Sequence, residues 1–554
     1  MQGTVQPDLN RRGLLKFLVA LTASRTPMAW ARKDRLNMLL HSSAESPAQG
    51  TGAGTAGPPI PQSVIANAAK AIEEGALNGP FRPSWESLRT HPNARWFDDA
   101  KFGIYCHWGA FSVPAFCSEK GFGDEWYSYH MYIKGTGVNA YHLQHYGPLN
   151  KFGFKDFIPT FKAERFDPDA WADLFKNAGA RFAGPVTMFA DGFAMWRSRL
   201  TRWNSVNMGP RRDVVGELSK AIRRHDMKFV TTFHHQWRWG WFPTLDKTTD
   251  TADPEYADLY GPPLPSSACL LRRDSKPLPD REFCEWWVSM MGEVIDRYRP
   301  DLIWIDARMN AIDEKYRRDV VAFYYNRAAE WGREVVLTYK DIDIPPGVAV
   351  LDLERGRLDN LVHYKWLTDD SIDWNSWGYT QNHNYKSVKR LIHELIDIVS
   401  KNGNLLLNVG PMADGTFPEP ARKCLLGIGD WLRLNGEAIY GTRPWETYGE
   451  GPTKMKGGPF AEEKIQEFTA QDVRFTTKGN VLYAISLGRP DKELVINSLS
   501  TARKLWFGEI GEVRLLGVDA PLRWARENKG LTVQIPHTFS GSDACVFKIT
   551  GKGR

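Results

Sequence analysis

Short apolar runs alternate with longer amphipathic segments between about residues 100 and 410. Each run has the length of a buried strand and is bounded by polar or turn-forming residues. Eight such runs predict eight strands, at residues 102–107, 182–187, 229–233, 302–306, 335–339, 349–353, 362–366 and 405–409.

The segments between these strands carry apolar residues at helical spacing. The clearest predicted helices are residues 168–178, 213–225, 282–298, 319–331 and 385–400. Strand and helix in alternation indicate parallel βαβ units, and eight units fit a (β/α)₈ TIM-like barrel. An open doubly wound sheet is the alternative, but no GxGxxG turn follows the first strand. We therefore predict a barrel over residues 83–445.

The pattern changes after residue 445, where shorter alternating segments are separated by Gly, Pro, Asn or Asp. This spacing is typical of antiparallel strands in a small β-sandwich. We predict such a domain over residues 446–554, with strands at 473–477, 481–487, 494–496, 512–516, 531–535 and 544–549.

The first residues resemble a twin-arginine export signal. Arg11 and Arg12 precede a short apolar run at residues 17–21, and Ala29-Trp30-Ala31 has the small-x-small form of a cleavage site. We predict a signal peptide at 1–31 and a periplasmic or secreted product. A basic N-terminal tail is the alternative, and the run is too short for membrane insertion.

The next segment is predicted to be a flexible linker over residues 32–82. Its central part, residues 43–61, is rich in Ser, Gly, Ala and Pro. Chains of this composition gain little by packing and usually stay extended or coiled.

Charge and cysteine spacing exclude several classes of function. The net charge of +6 is small for 554 residues, and no long Lys/Arg run follows residue 40, so no nucleic-acid partner is predicted. The six cysteines show no CxxC or Cys/His spacing, so no metal site is predicted. No organic cofactor is predicted either.

Acidic residues end two of the predicted strands. In a (β/α)₈ barrel the active site lies at the carboxyl ends of the strands. Asp306 ends the fourth strand, and Asp352 and Glu354 lie at the end of the sixth. Because side chains alternate along a strand, Asp352 and Glu354 should point to the same side. These positions fit an acid/base pair. They also fit structural roles: a helix cap for Asp306 and an ion pair for Asp352 or Glu354.

Histidine and tryptophan follow two other strands. His107-Trp108 ends the first strand, and His234-His235 follows the third. Neighbouring histidines on a strand point in opposite directions, which argues against joint metal binding. Two acids near His and Trp favour glycosidic cleavage, in which one acid attacks or activates water and the other protonates the leaving oxygen.

Several motifs identify a family resemblance when taken together and in order. Residues 101–115 (KFGIYCHWGAFSVPA), 166–180 (FDPDAWADLFKNAGA), 376–379 (SWGY) and 402–411 (NGNLLLNVGP) resemble glycoside hydrolase family 29, the α-L-fucosidases. This resemblance implies an exo-acting, retaining enzyme that releases a terminal α-L-fucosyl residue from a fucosylated glycan.

The resemblance also implies roles for individual residues. Asp306 corresponds to the nucleophile, and Glu354 is the predicted acid/base, with an expected separation of about 5–5.5 Å for a retaining pair. The predicted sugar-binding residues are His107, Trp108, Glu125, Trp126, Asp191, His234 and Trp377.

One motif departs from the family pattern. The family usually carries His-His-Asp-Gly-Phe after its second strand, and its two histidines bind fucose hydroxyls. Here Phe189 and Ala190 stand before Asp191. Loss of two buried hydrogen-bond partners costs roughly 1–3 kcal/mol each. Three hypotheses stay open: weak fucoside hydrolysis, action on a different or modified sugar such as a sulfated one, and glycan binding without catalysis.

Overall fold

The computed structural model describes residues 57–118, 122–264, 277–461, 466–537, 539, 541 and 543–552. The predicted signal peptide (1–31) and the first part of the predicted linker (32–56) lie outside the described residues. Within the described ranges, no helix is both long and apolar enough to cross a membrane.

Eight parallel strands form a closed barrel in chain order, which confirms the predicted barrel. All side chains of most of these strands are buried, as expected when helices cover the outside and side chains fill the inside. The strands are β1 (Phe102–Cys106), β2 (Phe182–Met188), β3 (Lys228–Phe233), β4 (Leu302–Ile305), β5 (Val336–Lys340), β6 (Val350–Asp352), β7 (Trp366–Ser371) and β8 (Gly403–Asn408).

Helices connect and surround the strands. Asp213, Asp280 and Ser387 each cap a long helix by accepting a backbone N–H bond with the side chain. The α-helices are α1 (Gln62–Ala76), α2 (Trp85–Leu88), α3 (Arg95–Ala100), α4 (Tyr127–His130), α5 (Gly137–His145), α6 (Phe154–Phe157), α7 (Pro168–Asn177), α8 (Val214–Arg224), α9 (Ala257–Tyr260), α10 (Arg281–Tyr298), α11 (Glu314–Trp331), α12 (Val388–Ser400) and α13 (Glu419–Asn435).

The seventh strand lies later in the chain than predicted. The prediction placed it at 362–366, whereas β7 spans Trp366–Ser371 and is buried throughout. Its second half is polar because buried lysines pair with it: Lys386 Nζ lies 2.7 Å from Asp370. An apolar-run criterion therefore misses this strand.

The predicted linker is wrong for its second half. Helix α1 lies within residues 32–82 and buries Ile65, Ile72 and Ala76. It packs on α10 and α11 so closely that a Cβ atom on Gly292 would lie 2.0 Å from Ile72 Cδ1. The apolar residues of α1 recur at helical spacing. The prediction missed this pattern because the preceding residues 43–61 are rich in Ser, Gly, Ala and Pro.

The C-terminal strands form two antiparallel sheets, as predicted. One sheet has five strands, in the order Ile510–Leu515, Cys545–Gly551, Val481–Ser486, Val473–Lys478 and Gly449–Glu450. The other has three, in the order Glu493–Ile496, Leu531–Gln534 and Trp524–Arg526. Apolar residues from both sheets share one core, including Phe475, Leu482, Ile496 and Val533. The strands are β9 (Gly449–Glu450), β10 (Val473–Lys478), β11 (Val481–Ser486), β12 (Glu493–Ile496), β13 (Ile510–Leu515), β14 (Trp524–Arg526), β15 (Leu531–Gln534) and β16 (Cys545–Gly551).

Candidate active site

A cavity of about 680 Å³ opens at the carboxyl ends of the barrel strands. Its lining comes from five strands, β1 and β4 to β7, and from the loops that follow β1 to β7. Strand-end residues in the lining are Tyr105, His107, Trp304, Asp306, Lys340, Asp352, Glu354 and Asp369.

A larger cleft of about 1240 Å³ lies at the opposite ends of the strands. Its lining includes Asp98, Lys365 and Asn402, which come just before β1, β7 and β8. In barrels of this type the amino ends serve stability and the carboxyl ends carry the chemistry. The smaller cavity is therefore the candidate active site.

Lys340 lies at the centre of four carboxylates. Its Nζ is 2.7 Å from Glu354, 3.3 Å from both Asp306 and Asp369, and 3.8 Å from Asp352. Burial alone lowers the pKa of a lysine, but these carboxylates raise the pKa of Lys340 well above its usual value. The ammonium group stays charged throughout the pH range in which carboxyl groups titrate.

Asp352 and Asp369 form the floor of this cluster. Asp352 accepts hydrogen bonds from Trp304 Nε1 at 2.9 Å and from the backbone N–H of Asp369 at 3.0 Å, and Tyr105 donates its hydroxyl to Asp369 at 3.1 Å. Burial raises the pKa of Asp352 to about 6 and, together with the nearby Asp352, raises that of Asp369 well above its usual value.

Asp306 and Glu354 are the more exposed carboxylates of the cluster. Their side chains are 17% and 23% exposed, against 0% and 1% for Asp352 and Asp369. The Asp306 and Glu354 oxygens that contact Lys340 lie 3.3 and 2.7 Å from Nζ, so they are no farther apart than those two distances combined. The two predicted acids therefore lie close together in the cavity, and Lys340 Nζ contacts both.

The backbone around Asp306 is fixed from two directions. Its N–H donates to Phe233 O at 3.0 Å, which continues the pairing of β4 with β3. Gln236 Nε2 donates to the carbonyl oxygens of Asp306 and Ala307 at 2.7 and 2.9 Å. The carboxylate is thus held at the end of a rigid strand.

His107 and His234 form a neutral pair in the wall of the cavity. Their Nε2 atoms are 3.1 Å apart, and His107 Nδ1 is 2.9 Å from Asn408 Oδ1. Since His107 Nδ1–H donates to the amide oxygen, its Nε2 accepts and His234 Nε2–H donates. Burial lowers the pKa of both histidines well below the usual value.

Glu125, Trp126 and Trp377 line the same cavity, as the sugar-binding prediction requires. Glu125 Oε2 accepts backbone N–H bonds from Trp377 at 3.3 Å and Gly378 at 3.4 Å. Burial raises the pKa of Glu125 in spite of these bonds. Trp377 lies beside His107, with ring centroids 5.5 Å apart.

Phe189 and Ala190 form an apolar part of the wall. The Phe189 ring lies 5.0 Å from the His234 ring and 5.9 Å from the His107 ring, centroid to centroid. It also contacts Trp241, edge to face, at 5.7 Å. Neither side chain offers a hydrogen-bond donor to a bound sugar.

Two of the predicted sugar-binding residues lie outside the cavity lining. Trp108 lies outside the cavity lining, packs against Phe166 and Trp171, and donates its Nε1–H to Met412 O. Asp191 is buried outside the lining and accepts the Phe193 N–H at 2.9 Å, which holds a turn. Each follows a residue that lines the cavity, but its own side chain is held by contacts outside the lining.

His234 and His235 do point in opposite directions, as predicted. His234 lines the cavity, whereas His235 Nε2 lies 3.0 Å from Trp287 O on helix α10. Among the residues that the structure describes, no group of His, Cys, Asp and Glu side chains is arranged to hold a metal ion.

The sequence reasoning missed Lys340, Tyr105 and Asp369. Lys340 follows the predicted fifth strand and could have been found by asking which polar residue ends each strand. Tyr105 lies within an apolar run and resembles a core residue. Asp369 belongs to the strand that was misplaced.

Comparisons with known proteins identify the family of this chain. A family model described as alpha-L-fucosidase matches residues 68–437, more than half of the chain. A second, described as alpha-L-fucosidase C-terminal domain, matches residues 466–550.

Individual relatives match over most of their length. Bovine tissue alpha-L-fucosidase is 31% identical over 490 residues, covering 85% of this chain and 91% of the relative. The human tissue enzyme is 30% identical over 501 residues, covering 87% and 95%. The crystal structure of Thermotoga maritima alpha-fucosidase in complex with fucose is 32% identical with a TM-score of 0.67, covering 84% and 99%. The chain therefore belongs to the α-L-fucosidase family of glycoside hydrolases.

Proposed function

We propose that this chain is a retaining exo-α-L-fucosidase in which Asp306 is the nucleophile and Glu354 the acid/base. The observation that supports these roles is that both carboxylates, from the carboxyl ends of β4 and β6, contact Lys340 Nζ in one cavity. A retaining mechanism needs two carboxyl groups at about 5–5.5 Å, and the contacts with one ammonium group keep this pair close.

The reaction proceeds in two displacements. Asp306 attacks the anomeric carbon while Glu354, protonated, gives its proton to the glycosidic oxygen, so that the leaving group departs as an alcohol. A fucosyl ester of Asp306 results. Glu354 then takes a proton from water, the water oxygen attacks the anomeric carbon, and the ester bond breaks to restore the Asp306 carboxylate. Two inversions give net retention.

The other polar groups of the cavity are suited to hold the sugar. Glu125 lines the wall, and His234 Nδ1 is buried without a hydrogen-bond partner among the residues that the structure describes. A buried sugar site gains specificity when such groups pair with hydroxyls, because a substrate without them leaves the groups unpaired.

A second candidate function is the same chemistry on a modified sugar. The apolar wall of Phe189 and Ala190 is the observation that favours it. A fucose hydroxyl placed against this wall would lose its bond to water without a replacement, at a cost of about 1–3 kcal/mol. A sugar that is substituted or lacks a hydroxyl at that position would bind without this penalty.

The first test is hydrolysis of 4-nitrophenyl α-L-fucoside by the protein and by its Asp306→Gly variant. We expect wild-type turnover and a loss of at least about a thousandfold in the variant, since the covalent step is removed. Azide should restore release of 4-nitrophenol by the variant and yield a β-fucosyl azide. Turnover by Asp306→Gly at the wild-type rate would contradict the assignment of the nucleophile.

The same assay separates the two candidate functions. Efficient fucoside turnover would show that the Phe189 wall is tolerated. If the wild type is inactive on this fucoside but active on a substituted one, the modified-sugar function is favoured. Binding of glycans without turnover of any of them would mean that catalysis is lost.

A further inference from the structure

The position of Glu354 marks the leaving-group side of the cavity. A general acid must lie within hydrogen-bond reach of the glycosidic oxygen, so the leaving group occupies the space next to it. Side chains that stand beside Glu354 at the opening of the cavity are therefore placed to contact the leaving group.

A segment of the C-terminal domain, in the connection from β9 to β10, is paired with the backbone around Glu354. Phe460 N–H donates to Glu354 O at 2.9 Å, and Ala461 N–H donates to Arg355 O at 3.1 Å. Gly458 and Arg357 exchange backbone hydrogen bonds of 2.7 and 3.1 Å. These four bonds fix Phe460 next to the acid/base candidate.

The Phe460 side chain projects into the opening of the cavity. It lines the cavity together with Asp306 and Glu354, yet it is 58% exposed. Its φ of 52° is in the left-handed region, which is uncommon for a bulky residue and is found most often at functional sites. An exposed aromatic ring in a strained backbone makes little contribution to the core.

A second exposed apolar side chain stands on the neighbouring loop. Ile342 is 70% exposed, lines the same cavity and follows Lys340 by two residues. Because Lys340 Nζ is 2.7 Å from Glu354, this loop also adjoins the acid/base candidate. Phe460 and Ile342 therefore flank the position that the leaving group takes.

We propose that Phe460 and Ile342 form a leaving-group subsite that binds a flat apolar face. This subsite rests on the proposed function, because Glu354 defines its place. Two leaving groups offer such a face: an aromatic aglycone and the apolar side of a sugar ring. Contact with an aromatic side chain stabilises both.

The test compares Phe460→Ala with the wild type on three substrates: 4-nitrophenyl α-L-fucoside, an α-L-fucosyl-galactose disaccharide and α-L-fucosyl fluoride. Fluoride leaves as a single atom and cannot contact the subsite. We expect kcat/KM to fall roughly three- to tenfold on a substrate that uses Phe460, as is typical for loss of one aromatic contact, and to stay unchanged on the fluoride. A loss on the aryl fucoside alone assigns the subsite to aromatic aglycones, and a loss on the disaccharide assigns it to sugars.

Unchanged kcat/KM on both larger substrates would overturn the subsite, and so would an equal loss on the fluoride. Phe507→Ala is the matched control, since Phe507 is 87% exposed but lines the cleft at the amino ends of the strands. If the wild type fails to hydrolyse the fluoride, the proposed function is overturned together with the subsite.

Discussion

The residue that most affects the electrostatics of the site is Lys340. Four carboxylates lie within 3.8 Å of its Nζ, and its side chain is 5% exposed. Without this cation, like charges would be buried side by side, which favours proton uptake. Because the pKa of Lys340 is raised, its stabilising effect is complete below the usual lysine pKa and is lost only as the pH rises through the raised value.

The effect of Lys340 on catalysis can be measured with Lys340→Met. Without the cation, carboxyl groups in the cluster hold protons to higher pH. Both limbs of the pH profile of kcat/KM should therefore move up by about one to three pH units.

Lys340→Arg is the control, because it keeps the charge and should keep the profile near its wild-type position. A Lys340→Met enzyme with lower activity but an unmoved profile would show that Lys340 only supports the fold.

The sequence identifies a candidate functional residue when its role depends only on its position in its own strand. Asp306, Asp352 and Glu354 became candidates because strand ends face the active site in a parallel barrel, and Asp306 and Glu354 were selected with the family resemblance. Trp108 and Asp191 lie outside the cavity lining because they follow the ends of β1 and β2, where the loop and no longer the strand decides the direction of a side chain.

At the scale of elements, helix α1 belongs to the folded barrel domain, although it precedes residue 83, where that domain was predicted to begin. It packs against both α10 and α11, and Ile72 is 1% exposed at the contact. Gly75 and Gly292 allow the helices to approach, since a Cβ atom at either position would lie 2.5 Å or less from a neighbouring side chain. This helix is part of the folded enzyme.

Ile72→Ala should therefore destabilise the protein. Truncation of a buried Ile side chain costs about 2–5 kcal/mol, because the cavity collapses only partly. Val64→Ala on the same helix is the control: Val64 is 41% exposed, and the change should be small. Chemical denaturation would measure both, and equal stability of Ile72→Ala and the wild type would mean that α1 is only loosely attached.

At the scale of the whole molecule, buried ion pairs join the barrel to the C-terminal sheets. Arg474 on β10 contacts Asp397 on α12 at 2.6 Å, and both side chains are at most 2% exposed. Burial alone would raise the pKa of Asp397, but Lys401 and Arg474 hold it well below the usual range. The stabilisation is therefore present above the ordinary Asp pKa and is lost as the pH falls below it.

Arg474→Met tests this connection. Removing one partner leaves Asp397 buried with less compensation, so the free energy of unfolding at neutral pH should fall by about 3 kcal/mol. Arg514→Met is the control, because Arg514 and Glu512 form an exposed pair at 2.8 Å that contributes little. Equal losses in the two variants, measured by chemical denaturation, would contradict the structural role of the buried pair.

The sequence by itself determined the barrel, the two-domain order and the two candidate acids. Hydrophobic periodicity and strand ends are local features of the sequence. In a parallel barrel, a residue at the carboxyl end of a strand lies at the active site. The export signal stays a prediction, because it lies outside the described residues.

Only the tertiary structure decided which distant residues meet. Lys340, Asp352 and Asp369 come from three strands. The polar residues Asp369 and Asp370 concealed β7 until their pairing with buried lysines explained it. Phe460 reaches Glu354 across about a hundred residues of chain through backbone hydrogen bonds that no side-chain pattern encodes. Contacts between residues far apart in sequence depend on the closed barrel, and therefore they appear only when the whole chain is folded.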